Sequence, residues 1–215
     1  MSAPALIFDL DGTLIDSAPS ILAGFAAVVQ RHGILPQVPL DNRLIGPPLL
    51  PTLQRISGED DPRALQGMAA TFKGWYDTEG YPLTVVYPGV DGALRALAAR
   101  AALYIVTNKR IHPTRQILAH LGWADLFVGV YAQDAFEPPL PTKAAVIGRA
   151  LALHGIDPAT AIYIGDRAED GEAATANGLA FAWAAWGYGV ALDLAPFIAP
   201  RALVSPGELE RLCGA

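Results

Sequence analysis

Two carboxylates stand two residues apart, directly after an apolar run. Residues 5–17 read Ala-Leu-Ile-Phe-Asp-Leu-Asp-Gly-Thr-Leu-Ile-Asp-Ser, which places Asp9 and Asp11 at i and i+2. On a strand these positions share a side, so both acids leave the strand end together. Like charges at the mouth of a buried strand repel unless a cation or a shared proton offsets them. The pair is a candidate for metal-assisted chemistry, with one carboxylate free to attack as a nucleophile.

Three further segments carry the groups such a site needs. Leu103–Asn108 is an apolar run ending in the hydroxyl of Thr107 and the amide of Asn108. Lys143 opens an amphipathic segment after a Pro-rich loop. A lysine there faces the unfavourable positive end of a helix, which favours a functional reason for it. Ala161–Asp166 is a third apolar run ending in an acid, and Asp170 follows one helical turn later. Open α/β sheets bind ligands outside the carboxyl ends of their strands, so a single site is expected there.

In order and spacing these segments resemble the haloacid dehalogenase-like hydrolase superfamily, and within it the phosphoglycolate phosphatase-like group. Its DxDGT motif is matched by Asp9–Thr13, and its strand ending in Thr or Ser by Thr107. Its lysine is best matched by Lys143, in Pro-Thr-Lys-Ala rather than the Lys-Pro of many relatives, and GDxxxD is matched by Gly165–Asp170. The resemblance implies a Rossmann-like core and an aspartyl-phosphate formed on Asp9. It implies that Asp11 is general acid and base, protonating the leaving oxygen and then activating water. A second Asp at this position marks the phosphatases of the superfamily rather than the dehalogenases. Thr107, Asn108 and Lys143 would hold the phosphoryl group. Mg²⁺ would be bound by Asp9, Asp166, the backbone carbonyl of Asp11, and Asp170 either directly or through water. A phosphosugar mutase is the rival within the family; it would move phosphate to a second substrate position without net release. A binding protein without catalysis is the rival outside it, disfavoured because every chemical position is filled.

Other residues have plainer readings. Lys109 and Arg110 are expected to form a solvated charge pair, and Glu169 and Glu172 to be favourable first-turn charges. His32, His112, His120 and His154 have no zinc-ligand spacing and are expected to be structural. Trp186-Gly-Tyr-Gly189 resembles a loop of the same group, with tight turns near the site rim. Cys213 is expected to be inert.

Composition sets the bounds. The 215 residues are 52% hydrophobic and 17% charged, which excludes a disordered chain. A net charge of −6 gives no basic footprint for nucleic acid or an anionic membrane, so a phosphorylated substrate must be attracted locally. The single cysteine fits a reducing compartment, and neither a leader nor a membrane span is read, so a cytoplasmic protein is expected. The expected partner is a small phosphorylated metabolite; oligomeric state is left open.

The elements must then position these groups. Strands are expected at about 4–9, 103–107, 127–131, 161–165 and 179–184. Helices are expected at 18–32, 49–56, 62–78, 90–99, 112–121, 143–154 and 168–177, with a short last one at 206–212. Ser17 is expected to cap the first helix, with Pro19 in its first turn and Gly33 ending it. Alternation of strand and helix predicts an α/β fold: a parallel sheet with helices on both faces. Residues 1–15 and 86–215 form that core, and 16–85 form a mainly helical cap. The cap would open and close on hinges near 16–20 and 81–88 and would choose the leaving group, with Arg43 and the Ile45-Gly-Pro-Pro48 loop as candidate contacts.

Overall fold

The structure is a computed structural model and describes residues 4–213. The chain divides into two compact units. One runs up to Asp16 and resumes at Val86; the other is the intervening segment, Ser17–Val85.

The first unit starts with β1 (Ala5–Phe8), all four residues of which are buried. Two very short strands, β2 (Ile15–Asp16) and β3 (Val85–Val86), pair where the chain leaves this unit and returns. Then follow α4 (Val90–Ala98), β4 (Ala102–Thr107), α5 (Ile111–His120), β5 (Gly129–Ala132) and α6 (Lys143–His154). The series ends with β6 (Ala161–Gly165), α7 (Ala168–Ala176), β7 (Ala180–Ala184) and β8 (Arg201–Leu203). Helices α1 (Ala18–His32), α2 (Leu49–Ser57) and α3 (Pro62–Trp75) belong to the other unit. Six strands form one parallel sheet in the order β5-β4-β1-β6-β7-β8.

The near-continuous apolar strands are what a sheet covered on both faces requires. In register, Ile7 lies between Tyr104 and Tyr163, and this face packs on Val146, Ile147, Ala150 and Leu151 of α6 and Ala173 and Ala174 of α7. The alternate residues Leu6, Phe8, Leu103, Ile105 and Ile164 are equally buried, with Phe8 edge-on to Phe127 at 6.5 Å. Burying each such side chain contributes about 1.5–3 kcal/mol. The interior strands are therefore well fixed, and their ends are rigid mounts.

The second unit is helical: α1 (Ala18–His32), α2 (Leu49–Ser57) and α3 (Pro62–Trp75). It has its own core of Phe25, Val28, Leu44, Leu53, Ile56, Met68 and Ala69. Gly33 ends α1 with φ 63°, as its position predicts. Ser17 sits at the cap position with φ −96° and ψ 0°, outside the extended geometry of a capping side chain, and makes no side-chain cap bond. Its carbonyl instead accepts from Ser20 Oγ at 2.9 Å.

Locally the structure departs from the sequence pattern or adds detail to it. The predicted helix 62–78 ends at Trp75 and continues as a single π-turn, Tyr76–Gly80. The Thr78 hydroxyl there donates back to the Gly74 carbonyl at 2.9 Å, a bond that loosens regular helix. The last segment, expected as a short helix over 206–212, is a 3-10 helix, Pro206–Cys213. Strand β8 has no counterpart in the sequence reading, because a three-residue edge strand with two exposed residues carries no periodicity. Among the described residues no helix is long and apolar enough to cross a membrane.

Candidate active site

Strand β1 lies in the middle of the sheet, and the chain crosses from one side of it to the other. It winds from β1 to β4 and β5 on one side, then crosses to β6, β7 and β8 on the other. The ends of β1, β4 and β6 therefore form the switch point at which such sheets open a crevice. Asp9 follows β1, Thr107 ends β4 and Asp166 follows β6, and all three are buried. Asp9 N–H donates to the Ile164 carbonyl at 2.8 Å, extending the pairing of β1 with β6 up to the acid.

Lys143 is the first residue of α6 and only 5% exposed. The Thr142 hydroxyl caps this helix by accepting from the Ala145 amide at 3.1 Å. The lysine ammonium donates to Asp170 Oδ1 at 2.5 Å and lies 3.3 Å from Asp9 Oδ1. Asp170 Oδ2 accepts from the Arg167 amide at 3.0 Å, a capping-box bond at the start of α7. Both oxygens of Asp170 are thus engaged, one in holding the lysine and one in holding its own helix.

Asp9, Asp166 and Asp170 bring carboxylate oxygens within 4.8 Å of one another. Two charges at that distance repel by about 3 kcal/mol at an effective dielectric near 20. For Asp9 and Asp166, burial and this repulsion both favour the protonated form. Burial pushes Asp9 up to about 7 against the pull of Lys143, with Asp170, Asp166 and Asp11 adding to the rise. Burial, then Asp170, pushes Asp166 up to about 6, while Arg167 and the amides of Tyr188 and Gly189 restrain it. Burial works against the charge of Lys143 as well, but Asp9, Tyr163 and Asp170 outweigh it and hold the ammonium well above its ordinary value.

Two buried oxygens in the cluster, Asp9 Oδ1 and Asp166 Oδ1, have no hydrogen-bond partner. The first is at ion-pair distance from Lys143 without hydrogen-bond geometry. Buried carboxylate oxygens of this kind suit an oxygen-ligated divalent cation. The charges agree. Asp9, Asp11, Asp166 and Asp170 carry four negative charges when ionised, Lys109 and Lys143 two positive ones, and two negative charges are left.

Lys109 corrects the sequence reading. It is not a solvated charge: its side chain is 8% exposed, and Nζ lies 3.2 Å from both carboxylate oxygens of Asp11. Its amide donates to Thr107 Oγ1 at 3.2 Å, so one residue joins the second motif to the first. The Asp11 carboxylate itself is not part of the three-acid cluster. Glu169 also does more than favour a helix end, because its Oε1 accepts from Asn108 Nδ2 at 2.9 Å. Asn108 is exposed, and its Oδ1 accepts from Gln133 at 3.4 Å. Arg43 lies in the other unit, on the turn Asn42–Leu44. Its guanidinium forks onto Asp41, with Nη2–Oδ2 at 2.6 Å, and its side chain is 68% exposed.

The family model for haloacid dehalogenase-like hydrolases matches residues 6–184, a span that holds Asp9, Asp11, Thr107, Lys109, Lys143, Asp166 and Asp170. The chain belongs to that family. It is similar to a phosphoglycolate phosphatase of Cereibacter sphaeroides, 32% identical over 191 residues and 86% of each chain. It is also similar to the tyrosine-protein kinase PtkA of Mycobacterium tuberculosis, 31% identical over 191 residues, 87% of this chain and 64% of that one. A solved haloacid dehalogenase-like hydrolase from Streptococcus pneumoniae superposes with a TM-score of 0.82 at 27% identity, over 96% of both chains.

Proposed function

We propose that this hydrolase is a Mg²⁺-dependent phosphatase of small phosphomonoesters that works through an aspartyl-phosphate on Asp9. The observation that carries the reading is the position of Asp9: buried at the switch point of the sheet, beside an ammonium and within reach of two further acids. Asp9 attacks phosphorus, with Lys143 drawing the negative phosphoryl oxygens toward it. Thr107 and Asn108 offer a hydroxyl and an amide to the same oxygens. Asp11 protonates the leaving oxygen and later takes a proton from the attacking water. Lys109, poised on the Asp11 carboxylate, keeps that acid from drifting into the metal cluster. Asp9, Asp166, the Asp11 carbonyl and, directly or through water, Asp170 would hold Mg²⁺. When bound, the ion supplies positive charge to the phosphoryl oxygens and orients the transfer.

The first substrate to try is phosphoglycolate, the substrate named for relatives at this level of identity. Residues Ser17–Val85 are proposed as the cap that selects the leaving group, with Arg43 among its candidate contacts.

The test is phosphate release across a panel of phosphomonoesters, with acid quenching to trap a radiolabelled phosphoenzyme. Wild type should carry label and release phosphate, and Asp9→Asn should lose both, with turnover down at least ~10³-fold. Label that persists in Asp9→Asn would show that another residue is the nucleophile. Transfer of the label to a protein tyrosine or a second sugar position, rather than to water, would make the protein a transferase.

A further inference from the structure

The loop Trp186–Gly189, which follows β7, touches both halves of the site. Trp186 Nε1 donates to the Thr13 carbonyl at 3.0 Å, in the turn after Asp11. The amides of Tyr188 and Gly189 donate to Asp166 Oδ2 at 2.8 and 3.2 Å. That oxygen is thereby fully held, and the orphaned Oδ1 is the one left over. At its other end, the Tyr188 hydroxyl donates to Asp16 Oδ1 at 2.6 Å, a short charge-assisted bond. Tyr87 lies beside it; burial and then the Asp16 charge push its phenol up to about 12, so it stays neutral.

The loop has one seat. A Cβ at Gly187 would stand 2.3 Å from the Gly12 carbonyl oxygen and from Asp166 Cβ, and one at Gly189 would stand 1.9 Å from the Asp166 carbonyl oxygen. Trp183 Nε1 pins that same Asp166 carbonyl from the strand before, at 3.1 Å. With no slack in the backbone, movement at one end of Tyr188 must be felt at the other. Its hydroxyl ends on Asp16, the last residue before the chain leaves this unit, beside Tyr87, just after it returns.

We propose that Tyr188 is a positioning residue that links the crossing segments at Asp16 and Tyr87 to the orientation of the Asp166 carboxylate. A shift of Asp16 pulls the phenol, tilts the two amides on Asp166 Oδ2, and turns Oδ1 toward or away from the cation. The site is then complete only for one setting of the crossing segments. This rests on the reading of Asp166 as a cation ligand.

The test uses the full chain and Mg²⁺ alone. Tyr188→Phe keeps the ring and removes the hydroxyl; Asp16→Ala removes its acceptor; Asp16→Asn keeps one. Calorimetry should show Mg²⁺ bound about 10-fold more weakly by Tyr188→Phe and by Asp16→Ala, on the scale of lost outer-shell support. The double variant should be no weaker than either single, because both remove one link. Asp16→Asn should lie nearer to wild type, which a general loss of folding would not produce. NMR-detected hydrogen exchange of amides 188 and 189 should quicken in Tyr188→Phe. Single variants within twofold of wild type, or losses that multiply in the double, overturn the link. If wild type takes up no Mg²⁺, the metal reading fails and exchange alone decides: unchanged protection of amides 188 and 189 in Tyr188→Phe overturns the link, and faster exchange supports it.

Discussion

Lys109 Nζ stands 3.2 Å from each carboxylate oxygen of Asp11, a symmetrical cradle between residues 98 positions apart. A lysine in this geometry holds the carboxylate by charge while its backbone amide holds Thr107. Lys109→Ala should lower kcat/KM by roughly 10- to 100-fold, within the range for disturbing an acid–base group. Lys109→Arg should keep part of the activity. Steady-state kinetics on one good substrate checks this; an alanine variant at wild-type rate would show that Lys109 has no part in catalysis.

The acid cluster makes stability depend on pH in a definite direction. Asp9 and Asp166 rise from 3.8 to about 7 and about 6 in the folded protein. The fold therefore binds protons more tightly than the unfolded chain. Their contribution to metal-free stability is present below about pH 4 and is lost as pH rises toward 7. Mg²⁺ displaces those protons, so its gain in Tm should be small at about pH 5 and larger at about pH 7.5. Melting curves in chelator and in Mg²⁺ at both pH values check the sign. A gain that shrinks with rising pH would argue against cation binding at these acids, and so would full turnover in chelator.

Lys143 is the buried counterion of Asp170 and Asp9. Lys143→Met preserves its length and removes its charge, leaving the acids facing each other. Removing one partner of a buried pair costs about 3–5 kcal/mol. Chemical denaturation without metal should show that loss, and adding Asp170→Asn should restore part of it. Activity should be lost in both, since the phosphoryl group loses its cation. A double variant less stable than Lys143→Met would contradict the pairing.

Arg43 and Asp41 form an exposed fork whose effect on stability should be slight. Arg43→Ala is therefore a clean test of substrate choice. If the cap selects the leaving group, kcat/KM should fall unevenly across phosphomonoesters, in kcat as well as KM for a good substrate, and little for a small aryl phosphate. An equal fall for all substrates, also seen on altering 45–49, would make this loop part of the hinge.

The sequence by itself determined the parallel α/β core and the residues at its crevice. Asp9, Thr107 and Asp166 each end an apolar run of strand length, so the pattern that makes the strand also aims the polar residue out of it. Lys143 was legible for a related reason, as a cation at a helix start where the dipole opposes it. Lys109 was not. Beside Arg110, nothing local separates a buried cation from a solvated one; only the reach across β1 and β4 does. The bonds from Asn108 to Glu169, from Tyr188 to Asp166 and from Tyr188 to Asp16 span 61, 22 and 172 positions and obey no period. The glycines at 187 and 189 announced a tight turn, but not that it closes on Asp166. Periodicity fixes which face of an element is buried. Which two faces meet, and which polar atoms are left without a partner, depends on three-dimensional distances that only the packed sheet sets.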